Sequence, residues 1–324
     1  MNSLKGISQN VLAAVERFSH CPTPPHRTLL ERNNRLSELT GMQVFLKHEQ
    51  MQLTGSFKYR GALNCILSLS STERAAGALT ASSGNHGMAC AMAAKAASVP
   101  LTVYVPENAS ALKLKKIGSL GATIKKVAGD CLNAETEARM EATKQGKTYI
   151  SPYNNHSVMA GQGTIGVELL TQLPELDAVF IAVGGGGLIG GVGALLKAKR
   201  PDIKVIGCWP SNSPAMARCL EAGQIIQVDE SPTLSDGTAG NVEDNAITFE
   251  VCQQVIDEKV LVTENEIRNQ MLDMLKNEQL VVEGAAGVAL AGAIKYGSAL
   301  KGKNVAIILC GRNIAYETLF SIIT

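Results

Sequence analysis

The sequence predicts an α/β fold in which mostly parallel sheets are covered by helices on both faces. Short apolar runs ending near Gly, Pro or Ser alternate along the chain with longer stretches of helical period. That order favours parallel pairing, because each return crossover is a helix. No solenoid repeat or low-complexity linker interrupts it, and 324 residues can bury one large core or two moderate ones.

The first strand in this reading is MQVFLKHE, Met42 to Glu49, β-rich and half apolar. Thr54-Gly55-Ser56 then supplies a turn and a helix N-cap, and FKYRGALNCILSL continues at helical period. Strand-like runs follow at ALTASSG, PLTVYVP, ATIKKVA, KTYISPY, AVFIAVG, KVIGCWP and NVAIILC. Between them lie helical stretches such as HGMACAMAAKAAS, ALKLKKIGSLG and NAETEARMEATKQ.

Composition narrows the function classes. A formal net charge of +1 with 45% hydrophobic residues argues against a nucleic-acid partner or an acidic tail. No apolar run approaches membrane-spanning length, and the polar start MNSLKGISQN lacks a signal-peptide core. The 8 cysteines form no C-x-x-C pair and no zinc spacing, which suits small buried hydrophobes in a reducing compartment. The expected protein is soluble and cytoplasmic, with no membrane partner.

Four segments carry chemistry. Lys58 falls in the first turn of the helix after Ser56, where unpaired N–H groups and burial in a cleft would lower its pKa. A lysine kept partly neutral is a nucleophile able to form a Schiff base with a carbonyl. An isolated lysine there would more simply be an exposed helix-start residue. In the second segment, a strand runs into Gly184, Gly185, Gly186 and Gly187, and a helix follows from Leu188. Such a loop lets backbone N–H groups surround a phosphate. Gly185-x-Gly187-x-x-Gly190 also fits the dinucleotide fingerprint, but the end of the next strand holds Trp209 where a ribose-binding carboxylate is needed. NAD is therefore disfavoured against a single phosphate, and tight helix–strand packing accounts for Gly190, Gly191 and Gly193.

The third segment is the strand–turn–helix junction at Ser82, Ser83, Asn85 and His86, where donors can converge on an anion. The fourth is IILCGRN, with Cys310 at a strand end. Alone, Cys310 would be a buried small hydrophobe and His86 a capping residue.

Around Lys58, the run KHEQMQLTGSFKYRGA resembles, nearly position by position, the pyridoxal-phosphate attachment signature of the serine/threonine dehydratase family, which includes serine racemases. The likeness extends through YNNHSVMAGQGTIGVE, SDGTAGNVEDNAITF (where Asp236 and Gly237 match) and VVEGAAGVALAGA, from about Thr23 to Leu309. It implies a fold-type II architecture of two open α/β domains with the active site in the cleft between them. The large domain would span 1–67 and 151–324, and a small inserted domain 68–150.

The resemblance also implies the site. Lys58 would hold pyridoxal 5'-phosphate beside Phe57, and Gly184 to Gly187 with Leu188 would hold its phosphate. Asn85 would bond its phenolic oxygen, Glu283 would lie near the ring, and Cys310 would face the pyridine nitrogen with no carboxylate to keep that nitrogen protonated. As a restrained electron sink, the ring would favour loss of a β-substituent. Ser82, Ser83, Asn85 and His86 would grip the substrate carboxylate. For Glu283, attraction to the dipole of the helix it starts explains the residue almost as well.

The expected reaction is loss of water from a 3-hydroxy amino acid of the L-serine/L-threonine type, giving a 2-oxo acid and ammonia, with Lys58 as the base. Ser83 leaves racemisation open as an alternative, since racemases place a second acid/base there. A non-catalytic metabolite-binding protein and a β-replacement enzyme are further alternatives. Trp209, where metal-binding relatives carry a glutamate, implies that no cation site is present. No feedback-regulatory domain is expected after the Cys310 strand, and a homodimer is the family default. Arg312 departs from the usual glycine, either altering the ring's electrostatics or fixing a loop.

Overall fold

A computed structural model describes residues 3–324. Its strands run in chain order β1 (Leu30–Arg32), β2 (Gln43–Lys47), β3 (Ala78–Ala81), β4 (Leu101–Pro106), β5 (Thr123–Val127), β6 (Thr148–Tyr149), β7 (Ala178–Ala182), β8 (Lys204–Pro210), β9 (Glu258–Val262) and β10 (Asn304–Ile308). They form a 6-stranded sheet of order β1-β2-β10-β7-β8-β9 and a 4-stranded sheet of order β5-β4-β3-β6. Every pairing is parallel except that of β1 with β2. Register places Val305 opposite Val44, Ala306 opposite Val179 and Phe180 opposite Ile206.

The strand sequences explain the layering. All of Ala-Val-Phe-Ile-Ala in β7 is buried, as a strand with helices on both faces must be. The edges behave differently: β9 alternates in burial, and β1 is a three-residue, charged and mostly exposed strand. These two edge strands are the ones absent from the sequence reading. A run of Leu-Glu-Arg carries no apolar period, and Glu-Lys-Val-Leu-Val is too short and too charged at its start to stand out.

One helix, His156–Gln172, is the plank on which the molecule is assembled. It packs on the helices Leu4–Ser19, Lys58–Leu67 and Gly187–Lys199. Its Gly161 crosses the Lys58 helix so closely that a Cβ there would overlap the Arg60 carbonyl. The Lys58 helix also packs on Asn85–Ala97, sharing the core cluster of the 4-stranded sheet through Tyr59, Leu63 and Ile66. The carboxyl ends of β2, β3, β7 and β10 lead into Lys58, Asn85, the glycine loop and Cys310 respectively, the position at which open α/β sheets bind ligands. No described helix is long and apolar enough to cross a membrane.

The helix start at Lys58 differs from the sequence reading. Ser56 does not cap it: the N-cap is Phe57, and no side chain bonds the free N–H groups. Ser56 instead bridges Gly311, Phe57 N–H donates to the Cys310 carbonyl, and Arg312 N–H donates to the Gly55 carbonyl. Tertiary strand-like pairing with the segment after β10 thus overrides a local capping signal.

Candidate active site

Lys58 lies half-buried in the first helical turn, its Nζ donating to the Pro152 carbonyl at 3.0 Å and standing 5.2 Å from the Phe57 ring centroid. No carboxylate pairs with it within 4.0 Å among the described residues. Desolvation by the surrounding walls lowers its pKa to about 8, only partly opposed by Cys310, Cys90 and Glu283. A fraction of the amine is therefore neutral near physiological pH.

The glycine loop is a cradle that only glycine can line. A Cβ on Gly185 would penetrate the Tyr153 ring, and one on Gly187 would lie 3.0 Å from Tyr153 Cα. Gly186 has φ +86° and caps the following helix, with Cys252 Sγ 2.7 Å from where its Cβ would be. The loop is pinned from outside by Thr248 Oγ1, which donates to the Gly185 carbonyl at 2.6 Å. Meanwhile the N–H groups of Gly185, Gly186, Gly187 and Leu188 find no protein acceptor among the described residues. Unpaired donors at a helix N-terminus, on a loop whose glycines leave the main chain bare, fit a phosphate.

At the third junction the helix starts at Asn85 with Gly84 as its cap, and Ser82 Oγ accepts from Gly84 N–H at 3.1 Å. Ser83 is half-buried and its hydroxyl has no protein partner among the described residues. His86 turns away: Nε2 meets the Ile150 carbonyl at 3.0 Å, and burial lowers its pKa to about 3, so the ring is neutral. Only its main-chain N–H, in the first helical turn, is left for an anion.

Asn85, Glu283 and Cys310 converge. Asn85 Nδ2 donates to both Glu283 oxygens, at 3.0 and 2.9 Å, and Cys310 Sγ lies 3.9 Å from Glu283 Oε1. Glu283 is the N-cap of the helix Gly284–Tyr296 but makes no side-chain capping bond, its oxygens being taken instead by Asn85 Nδ2 and the Asn313 N–H. A carboxylate does stand beside Cys310, one thiol removed from where the ring nitrogen was expected to sit without one.

Sequence reading assigns no role to the Pro152 carbonyl, the Tyr153 ring over the loop, or Thr248, although Tyr153 opens the run Tyr153-Asn154-Asn155-His156 and Thr248 lies in the run from Ser235 to Phe249. Arg312 is exposed and reaches Met51 Sδ at 3.1 Å, so it fixes the Met51–Gly55 loop rather than the ring. Trp209 is wholly buried, its ring against Gly207, with Nε1 unpartnered.

A lowered-pKa lysine and a bare glycine loop with unpaired N–H groups, both at the carboxyl ends of parallel strands, define a cofactor-dependent enzyme that works through an amine. Residues 23–311 match the pyridoxal-phosphate dependent enzyme family, and the chain belongs to it. Its cofactor is pyridoxal phosphate. The chain is 40% identical to the L-threonine ammonia-lyase of Thermotoga maritima over 92% of this chain and 74% of that protein. Among solved structures it resembles the processed form of threonine deaminase isoform 2 from Solanum lycopersicum, with TM-score 0.91 and 31% identity over 97% of this chain and 92% of that one. It is also similar to maize serine racemase, with TM-score 0.90 and 30% identity over 97% and 96%.

Proposed function

We infer that this enzyme removes water from a 3-hydroxy amino acid of the L-threonine/L-serine type, giving a 2-oxo acid and ammonia. The observation that carries this is the 40% identity to an L-threonine ammonia-lyase over 92% of the chain. Bound pyridoxal phosphate supplies an electron sink conjugated to the substrate α-carbon.

The chain's own residues do the rest. Lys58, partly neutral, is the group that holds the cofactor and afterwards takes the α-proton on Nζ. Gly184, Gly185, Gly186, Gly187 and Leu188 bind the phosphate through main-chain N–H groups, and Phe57, Asn85, Glu283 and Cys310 surround the ring. Ser82, Ser83, Asn85 and the N–H of His86 bind the substrate carboxylate at a helix N-terminus. The same reading divides the chain into a large unit, 1–67 with 151–324, and a small unit, 68–150, and makes it a cytoplasmic homodimer.

A second reading, amino-acid racemisation, is favoured by one observation: the Ser83 hydroxyl is unpaired and beside Asn85. The experiment that separates the two incubates purified enzyme with L- and D-3-hydroxy amino acids and follows 2-oxo acid release and product chirality together. Oxo acid from an L-substrate with little D-isomer is expected. D-isomer with little oxo acid, abolished by Ser83→Ala, would overturn dehydration in favour of racemisation.

A further inference from the structure

Asn85 and Cys310, read above as partners of the cofactor's phenolic oxygen and ring nitrogen, come from opposite sides of the cleft. One buried carboxylate touches both. Glu283 is 5% exposed, accepts from Asn85 Nδ2 through both oxygens, accepts from Asn313 N–H at 3.1 Å, and lies 3.9 Å from Cys310 Sγ.

The donors in this network can be assigned without ambiguity. Asn313 Nδ2 sits 2.8 Å from the Thr54 carbonyl, which can only accept, so that atom is the nitrogen. It also lies 2.6 Å from Asn85, whose facing atom must then be the oxygen. The nitrogen of Asn85 is thereby turned to Glu283. Two glycines keep room for the arrangement. A Cβ on Gly311 would lie 2.5 Å from Glu283 Cδ, and one on Gly55, which has φ +75°, would lie 2.8 Å from Asn313 Oδ1.

We propose that ionised Glu283, with Asn313, is a positioning residue: it clamps the Asn85 carboxamide so that the second N–H of Nδ2 is presented to the cofactor. The proposal rests on the reading of Asn85 given above. Every close neighbour of the Glu283 oxygens is a donor, so a proton added to the carboxyl has no acceptor and breaks the clamp. The charged and titratable groups around it are Lys58 from its helix, Cys310 after β10 and Asp236 from the turn Asp236–Thr238. Burial raises the carboxyl to about 7, against the hydrogen bonds that favour its ionised form, so the clamp would engage within the working pH range.

The test uses the cofactor-loaded enzyme and its visible absorption band as a function of pH, with Glu283→Gln and Asn313→Ala. The wild-type band should change near pH 7, the value set by the carboxyl. Glu283→Gln should keep a band but lose that transition, with kcat lowered roughly 10- to 100-fold and KM little changed. Asn313→Ala should keep the transition but shift the band and lower kcat. An unaltered transition in Glu283→Gln overturns the proposal; so does an Asn313→Ala enzyme with wild-type band position and kcat. If Lys58→Ala leaves the band intact, it is instead the reading of the site that fails.

Discussion

Lys58 and Arg60 stand two residues apart in the first turn of one helix, yet their surroundings follow opposite rules. The Arg60 guanidinium is buried and saturated: Glu49 accepts at 2.8 Å through both oxygens, Glu168 at 2.6 Å, and the His26 carbonyl at 3.0 Å. Lys47 completes the group against Glu168, Gln172 and the Thr28 carbonyl, so two cations meet two carboxylates. Pairing outweighs burial for Glu49, held below the usual carboxylate range, and for Arg60, held above its own, whereas wholly buried Lys47 is still lowered by desolvation. Around Lys58 burial wins instead. The lysine falls to about 8 and Glu283 rises to about 7, because neither has an opposite charge in contact. A saturated cluster fixes its protonation, whereas an unsaturated one leaves it adjustable. The helix thus carries an anchor and a reactive amine two positions apart.

Four perturbations bear on this contrast. The largest effect is expected from Lys58→Ala, which should remove all turnover and the visible band of the bound cofactor; residual turnover in a steady-state assay would sink the role given to the amine. Next, Arg60→Met leaves Glu49 buried without its partner and should cost about 3–5 kcal/mol in urea denaturation of the cofactor-free protein. The double variant Arg60→Met/Glu49→Gln should recover most of that loss, and no recovery would mean the ion pair is not the cause.

A third test reads protonation directly. Only the neutral amine has a free electron pair, so the rate at which cofactor-free protein captures pyridoxal phosphate should climb as pH rises toward about 8 and level off above it. A flat stopped-flow profile would count against a lowered pKa. The smallest effect concerns stability. Lys58 binds its proton less tightly folded than unfolded, so between about 8 and the ordinary 10.5 the cofactor-free protein should gain stability with rising pH. Below that window the penalty is constant, and Lys58→Met should relieve it by roughly 1–3 kcal/mol at neutral pH. Destabilisation by this substitution would show that the amine is better satisfied than its single bond to Pro152 indicates.

What was legible in the sequence divides along the same line. The glycine cradle could be read because its chemistry is main-chain and contiguous, and Lys58 because its surrounding run is long and specific. The resemblance placed Glu283 near the ring, but its bonds to Asn85 could not be read, since Asn85 is 198 residues away. Likewise Lys47, Glu49 and Arg60 sit in the one informative run, but Glu168, which joins them, is 108 residues from Arg60. Ser56 was misjudged because a capping pattern is local, whereas its bridge to Gly311 depends on β10 being in place. The orientation of the His86 ring was likewise not legible, as the carbonyl that claims it belongs to the segment after β6.

The sheet order has a consequence for how the chain is made. The 4-stranded sheet draws all its strands from one stretch, Ala78 to Tyr149, and can close as soon as that stretch leaves the ribosome. The 6-stranded sheet cannot, because β2 and β7 are joined only through β10, starting at Asn304. Closing so long a loop is slow. Cys310 and Asn313 also follow that strand. During synthesis Lys58 should therefore remain without Cys310 and Asn313 until β10 has emerged, so nascent chains stalled before β10 should fail to retain the cofactor.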